Sequence, residues 1–248
     1  MLAVVTGTSR GLGLCIASSL LKAGYQVIGV SRNISSISDR NYSHVQGDLC
    51  DESTIENLIS TMDSKSIHCL VLNAGVLSPI SPVVELDLKE MKRAFDVNYF
   101  SNVRLVQRLL PFMTSNAIIL AIGSGASTFP YDGWLSYCSS KAALEMFIKV
   151  LAGELAHQNK GIFCSIIWPG ILNTEMQNEI RLQQGKGNMD EQQVEQFIGY
   201  HKEGKLIEAE KVGQMITDFI IKRPIEFHGL VVDFYKHETV EKFTSLRV

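Results

Sequence analysis

Tyr137 and Lys141 stand four apart in Tyr137-Cys138-Ser139-Ser140-Lys141, at the head of a helix-period segment, and so can share one helix face. A phenol has an ordinary pKa of about 10. A neighbouring ammonium favours the phenolate and lowers that value, so the hydroxyl can give or take a proton nearer neutrality. Tyrosine and lysine at this spacing also occur on helices that do no chemistry. A second feature lies near the start of the chain, in Thr6-Gly7-Thr8-Ser9-Arg10-Gly11-Leu12-Gly13. It follows the apolar run Leu2-Ala3-Val4-Val5 and precedes Leu14, Ile16, Ala17, Leu20 and Leu21, which recur at helical spacing. The three glycines therefore fall on a strand-to-helix turn. There they permit a tight bend, close approach of backbone to a phosphate, and packing of helix on strand. The unpaired N–H groups and partial positive charge of the helix start suit a pyrophosphate. Alone, such glycines can also make a turn and nothing more.

The elements that must position these residues alternate along the chain. Strand-like runs are Leu2–Thr6, Gln26–Ser31, His44–Gln46, Ile67–Leu72, Asn116–Ile122, Phe163–Ile167 and Leu230–Phe234. Helical segments fall near 12–23, 52–63, 88–113, 137–158 and 209–221. Strands that alternate with helices require crossovers and a parallel sheet covered on both faces. The expectation is an α/β fold: a doubly wound, seven-stranded parallel sheet in one domain over 1–248, of Rossmann type. Residues 171–205 break the alternation. They are polar and contain glycine, with Met176, Ile180, Met189, Val194 and Phe197 spread among charges. A stretch of this length without a strand reads as a substrate lid, or as a helical insertion that only packs.

Composition narrows the function further. The 248 residues are 46% hydrophobic and 20% charged with a net charge of -3, which gives no basic patch to argue for nucleic acid or an anionic membrane. No apolar stretch approaches the roughly 18 residues of a membrane span, and Met1 adjoins the first strand too closely for a signal peptide. Cys15, Cys50, Cys69, Cys138 and Cys164 are scattered without framework or metal-ligand spacing, and the histidines show none either. A cytoplasmic protein without a metal is expected.

Taken together, these residues resemble the short-chain dehydrogenase/reductase family in its single-domain branch, over the entire chain. The branch's T-G-x-x-x-G-x-G is met by Thr6, Gly7, Gly11 and Gly13, and its Y-x-x-x-K by Tyr137 and Lys141. The resemblance places the family's catalytic serine at Ser124, thirteen positions before Tyr137, and its structural asparagine at Asn98. Asn73-Ala74-Gly75 matches the N-A-G that supports sheet and cofactor. Pro169-Gly170, followed by Thr174, matches the loop at the nicotinamide carboxamide, and Asp48, with Leu49 beside it, the acid at the adenine ring. The implied roles are specific. Tyr137 would give a proton to the substrate oxygen in reduction and take it back in oxidation. Lys141 would lower the phenol's pKa and bond the nicotinamide ribose, Ser124 would steady the substrate oxygen, and Asn98 would hold a water linking Lys141 to solvent. The cofactor supplies the hydride, the protein orientation and electrostatics.

Cofactor choice rests on charge. An NAD site places a carboxylate about 20 residues beyond the glycine turn, on the ribose 2′-hydroxyl. That position is Ser31, followed by Arg32, and no acid appears before Asp39. With Thr8, Ser9, Arg10 and Leu12 in the turn, two guanidiniums and no carboxylate suit the 2′-phosphate of NADP(H). The alternative is that Arg10 and Arg32 are ordinary solvated arginines. Phe129, Tyr131 and Trp134, with Met176, Ile180 and Phe197 of the lid, suggest an apolar cleft for a carbonyl compound, or plain packing under a loop. Arg181, Lys186 and Lys205 are balanced there by Glu175, Glu179, Asp190 and Glu191, so no anionic substrate is indicated. A ketone or aldehyde, a diketone, a pterin side chain and a 3-oxoacyl thioester all remain open. The turn and the Ser-Arg pair resemble those of sepiapterin and benzil reductases within the family.

The leading expectation is therefore an NADPH-dependent carbonyl reductase. Oxidation of an alcohol by the same site, or an NADP-sensing protein without turnover, are the alternatives. The resemblance also implies a homodimer through the helices near 98–113 and 137–158, or a homotetramer. The family's terminal Asp-Gly-Gly is replaced here by Asp233-Phe234-Tyr235, with the chain continuing to Val248.

Overall fold

The computed structural model describes residues 1–158 and 160–236. Its strands are β1 (Leu2–Thr6), β2 (Gln26–Ser31), β3 (Tyr42–Gln46), β4 (Ile67–Leu72), β5 (Met113–Ile122), β6 (Phe163–Trp168) and β7 (Val231–Asp233). Its α-helices are α1 (Gly11–Lys22), α2 (Glu52–Thr61), α3 (Leu88–Phe95), α4 (Ser101–Leu109), α5 (Leu135–His157), α6 (Glu175–Arg181), α7 (Glu191–Lys202) and α8 (Ala209–Lys222).

The strands form one parallel sheet in the order β3-β2-β1-β4-β5-β6-β7. From β1 the chain winds outward first one way and then, from β4, the other. A crevice therefore opens beyond the C-terminal ends of β1 and β4, where ligands of doubly wound sheets bind. Alternation along β1 divides the core. Ala3 and Val5 pack with Leu12, Ile16 and Leu20 of α1 and Val212, Ile216 and Phe219 of α8. Leu2 and Val4 face the cluster that holds Ile55 of α2, Leu105 of α4, and Leu144 and Ile148 of α5. Both faces are covered, so the strands read as near-continuous apolar runs.

Three differences from the sequence expectation have physical causes. The segment 88–113 is not one helix. It passes through a π-helical turn at Asp96–Phe100, where Asn98 Oδ1 accepts from Val76 N at 2.8 Å and its Nδ2 donates to Val76 O at 2.9 Å. Side-chain bonds to another segment thus compete with the helical ladder at that turn. A 3₁₀ turn at Leu110–Phe112 then ends the helix, and β5 begins at Met113, three residues early, paired with Ile67 of β4. Residues 171–205 contain α6 and α7, which charged residues conceal from a periodicity reading. Asp190 caps α7 by accepting from Gln193 N at 3.0 Å. Ile180, Met189, Val194 and Phe197 are buried with Trp134 and Tyr137 in a third apolar cluster. Finally, β3 starts at Tyr42, two residues before the apolar signal, because pairing with β2 extends it. Residues 237–248 lie outside the described residues.

Candidate active site

The first turn of α5 brings Tyr137 and Lys141 to the crevice on one face, 7% and 4% exposed. The Lys141 Nζ lies 5.7 Å from the Tyr137 ring centroid and donates to Ile122 O, at the end of β5, at 2.8 Å. Ser124 lies two residues beyond that strand. Its Oγ accepts from Ala126 N at 3.2 Å, and its side chain is hydrogen-bonded to the Tyr137 hydroxyl. Asn98 is fully buried, bonded to Val76 as above and donating to Ser140 Oγ at 2.9 Å. Its backbone carbonyl accepts from Asn102 Nδ2 at 2.9 Å. The side chain thus braces the β4 exit against α5.

The electrostatics correct one expectation. Burial pushes the Tyr137 phenol up to about 12, while the Ser124 hydrogen bond acts in the lowering direction. Burial likewise pushes the Lys141 ammonium down to about 8. Desolvation thus outweighs the Ser124 hydrogen bond, and the phenol is raised rather than lowered.

Close approach at the glycine turn explains its residue types. A Cβ on Gly13 would stand 2.2 Å from Gly7 O and 2.4 Å from Asn73 Nδ2. Gly7 and Gly11 have φ of 76° and 58°, in the left-handed region. Asn73 N and Ala74 N both donate to Thr6 Oγ1 at 2.9 Å, tying the β4 exit to the end of β1. Gly75 lies beside Asn98 and Lys141: a Cβ there would come within 3.3 Å of Asn98 Oδ1 and 3.5 Å of Lys141 Nζ. The loop after β6 folds back so that a Cβ on Gly11 would meet Thr174 Cγ2 at 3.7 Å, with Pro169 and Gly170 (φ 84°) at its start. The crevice thus gathers the glycine turn, Asn73-Ala74-Gly75, α5 and this loop.

Other expected contact residues face differently. The Thr8 hydroxyl is buried and bonded to Tyr42 OH at 3.0 Å, and the Leu12 and Leu49 side chains belong to the core. Only backbone groups of these three are free to meet a ligand. Ser31 Oγ donates to Asn33 O at 3.0 Å, whereas Arg10 and Arg32 are exposed and Ser9 is half-buried. Asp48 accepts from Cys50 N at 2.9 Å and pairs with Arg93, and its carboxyl lies below the usual range despite partial burial.

The apolar wall is an aromatic stack. Trp134 stacks on Tyr131 at 4.6 Å and on Phe197 at 5.6 Å, and meets Tyr137 edge-on at 5.8 Å between ring centroids. Met176 and Ile180 of α6 pack on this cluster. Phe129 does not join it: the residue is 59% exposed, since the short turn at Gly125–Ser127 leaves its ring outside beside Gly125. Sequence reading missed Ser140, whose place three residues after Tyr137 was a usable signal. It also missed Tyr42 and Arg93, which act across 34 and 45 positions and left no local trace.

The residues present suit a nicotinamide dinucleotide. The N-terminus of α1 has no side-chain cap and no acid in its first turn, so its N–H groups and positive end remain open to a pyrophosphate. Lys141 has three donors, and among the described residues a single acceptor, Ile122 O, engages it. Among the described residues, no group of three or more His, Cys, Asp or Glu could hold a metal ion, and no helix is long and apolar enough to cross a membrane.

A parallel sheet of this order, a glycine turn on its first strand, and a Ser–Tyr–Lys set at the crevice with its tyrosine and lysine buried define a dinucleotide-dependent oxidoreductase. Residues 1–185 match the family model for short chain dehydrogenases, and the chain belongs to the short-chain dehydrogenase/reductase family. It is similar to the benzil reductase ((S)-benzoin forming) of Saccharomyces cerevisiae, 32% identical over 237 residues, covering 88% of this chain and 89% of the relative. A benzil reductase of Bacillus subtilis is 33% identical over 212 residues, covering 82% and 86%. Among solved structures, the KRED1-Pglu enzyme superposes with a TM-score of 0.83 at 34% identity, covering 93% of this chain and 99% of that one. The protein is accordingly an oxidoreductase of carbonyl and alcohol groups, in a family that uses NAD(P)(H).

Proposed function

We propose that the protein is an NADPH-dependent reductase of aromatic ketones or diketones. The observation that carries this reading is the Tyr137 phenol beside Ser124 and Lys141, together with the uncapped N-terminus of α1. When bound, the cofactor supplies the hydride. Arg10 and Arg32 would hold its 2′-phosphate, the backbone of Gly7–Gly13 its pyrophosphate, and Asp48 its adenine ring. Asn73-Ala74-Gly75 and the Pro169–Thr174 loop would contact the nicotinamide end.

Ser124 and Tyr137 both hydrogen-bond the substrate carbonyl oxygen, and the Tyr137 hydroxyl passes it a proton as alkoxide character develops. The Tyr137 phenol carries its proton throughout the neutral range, as a donor to the carbonyl oxygen must. The Lys141 ammonium, buried against Ile122 O, stabilises the phenolate that results and bonds the nicotinamide ribose. Asn98 fixes the β4 exit and α5 relative to each other, so that Gly75 and Lys141 stay in register. The aromatic stack of Tyr131, Trp134 and Phe197, and the relatives' names, support an aromatic carbonyl substrate.

Exposed Phe100 on the turn that enters α4, and Met146 and Val150 on α5, support a homodimer through this face. Five unpaired cysteines support the cytoplasm as its compartment.

The test is NADPH oxidation with benzil and a panel of ketones and aldehydes, in wild type and Tyr137→Phe. Turnover is expected in the wild type and a fall of about 10²–10⁴-fold in the variant, with NADP⁺ affinity kept. NADPH binding without turnover of any carbonyl would replace this reading with a cofactor sensor.

A further inference from the structure

The loop between β3 and α2 carries Asp48 and little of its own to hold it. Asp48 Oδ1 accepts from Cys50 N at 2.9 Å, a local turn contact. The other oxygen, Oδ2, pairs with Arg93 near the end of α3, 45 positions away in sequence. The next helix adds two more ties to the same loop. Arg104 Nη1 donates to Cys50 O at 2.7 Å, and Arg108 pairs with Glu52. At the loop's start, a Cβ on Gly47 would stand 2.3 Å from Thr54 Oγ1, so the chain enters along a single tight path.

We infer that Arg93 is a positioning residue of the cofactor site, fixing the carboxylate that would contact the adenine ring. This rests on the proposed reading of Asp48. Each carboxylate oxygen has two acceptor positions. Cys50 and Arg93 occupy one on each, so both side-chain torsions of Asp48 are set while acceptor capacity remains. The Arg93 and Asp48 side chains are 48% and 23% exposed, and a pair so open to water adds little to folding stability. Its consequence is local orientation and charge, which reduces the ordering cost of ligand binding.

The groups that face this carboxylate are few. Arg93 approaches from α3 and Cys50 from the loop itself, while Asp96 of the π-helical turn acts on both of these. Against partial desolvation, the Cys50 N–H and Arg93 hold the Asp48 carboxyl below its ordinary range. Loss of Arg93 therefore releases the side chain and moves its titration upward together.

The experiment measures NADP⁺ binding by calorimetry from neutral to acid pH for wild type, Arg93→Met, Arg93→Lys and Asp48→Asn. Nicotinamide mononucleotide, which lacks adenine, serves as the second ligand. Ionisations of the ligand are common to all four proteins and cancel in the differences. Arg93→Met should weaken NADP⁺ about 3- to 10-fold at neutral pH and leave the mononucleotide unchanged. It should also move the acid loss of affinity to higher pH, and Arg93→Lys should restore most of both effects. A wild-type affinity and acid limb in Arg93→Met, beside a weakened Asp48→Asn, overturns the inference alone. Wild-type affinity in Asp48→Asn overturns the reading of Asp48 and the inference with it. Equal losses for both ligands in Arg93→Met would mark a structural effect and also overturn it.

Discussion

Gly13→Ala and Gly153→Ala are the same substitution with opposite expected outcomes. Both glycines lie inside helices, where alanine is favoured by about 1 kcal/mol. At Gly153 in α5 the new Cβ meets nothing within 4 Å, so that gain should be realised. At Gly13 the Cβ would sit 2.2 Å from Gly7 O and 2.4 Å from Asn73 Nδ2. The first neighbour is backbone and can move only with the whole turn. The second donates to Thr6 O at 2.8 Å, a bond worth about 1 kcal/mol that is strained if Asn73 yields. Overpacking costs about 1–3 kcal/mol. Set against the helix gain, these leave a net loss of about 1–3 kcal/mol, or a fall in Tm of about 3–10 °C for a chain of this size. Gly153→Ala should raise Tm by about 1–4 °C. Because the displaced turn carries the N–H groups aimed at the pyrophosphate, Gly13→Ala should also weaken NADP⁺ more than tenfold, and Gly153→Ala not at all. Calorimetric melting with and without NADP⁺ reads both effects. A Gly13→Ala protein that melts and binds like Gly153→Ala would refute the close approach at the turn.

Two further outcomes follow from charge. Lys141 is pushed down to about 8 from 10.5, so between these pH values the unfolded chain holds a proton that the folded one has released, and stability rises with pH. Tyr137, pushed up to about 12 from 10.0, acts oppositely and lowers stability as pH rises above its unfolded value. Urea midpoints of wild type relative to Lys141→Met should therefore climb from about pH 8 to about pH 10.5, and a flat difference would show that the ammonium is not desolvated. Arg32→Asp should shift the NADPH-to-NADH ratio of kcat/KM by about tenfold or more, since charge-assisted bonds contribute about 1.5–3 kcal/mol each. Arg10→Ala should shift it the same way by less, because the turn's N–H groups are retained. An unchanged ratio in both variants would leave the arginines as solvated surface residues.

Periodicity and punctuation alone determined the sheet, its crossovers and the turn after β1, because buried parallel strands must be apolar and a strand-to-helix turn needs glycine. β1, β2 and β4 fall at their expected bounds, residue for residue. The Tyr137–Lys141 pair was legible for the same reason: helical spacing is a local rule. Tertiary structure decided what local rules cannot express. The break at Asn98 depends on Val76 and Ser140, on other elements. The helices α6 and α7 hold their few apolar residues inward only because Trp134 and Tyr137 lie beneath them. The direction of the Tyr137 shift was likewise settled by burial, since an ammonium at helical spacing can be read from sequence but the water excluded around it cannot. Arg93 reaches Asp48 across 45 positions, and an ion pair between distant segments follows from packing rather than from any pattern in the chain.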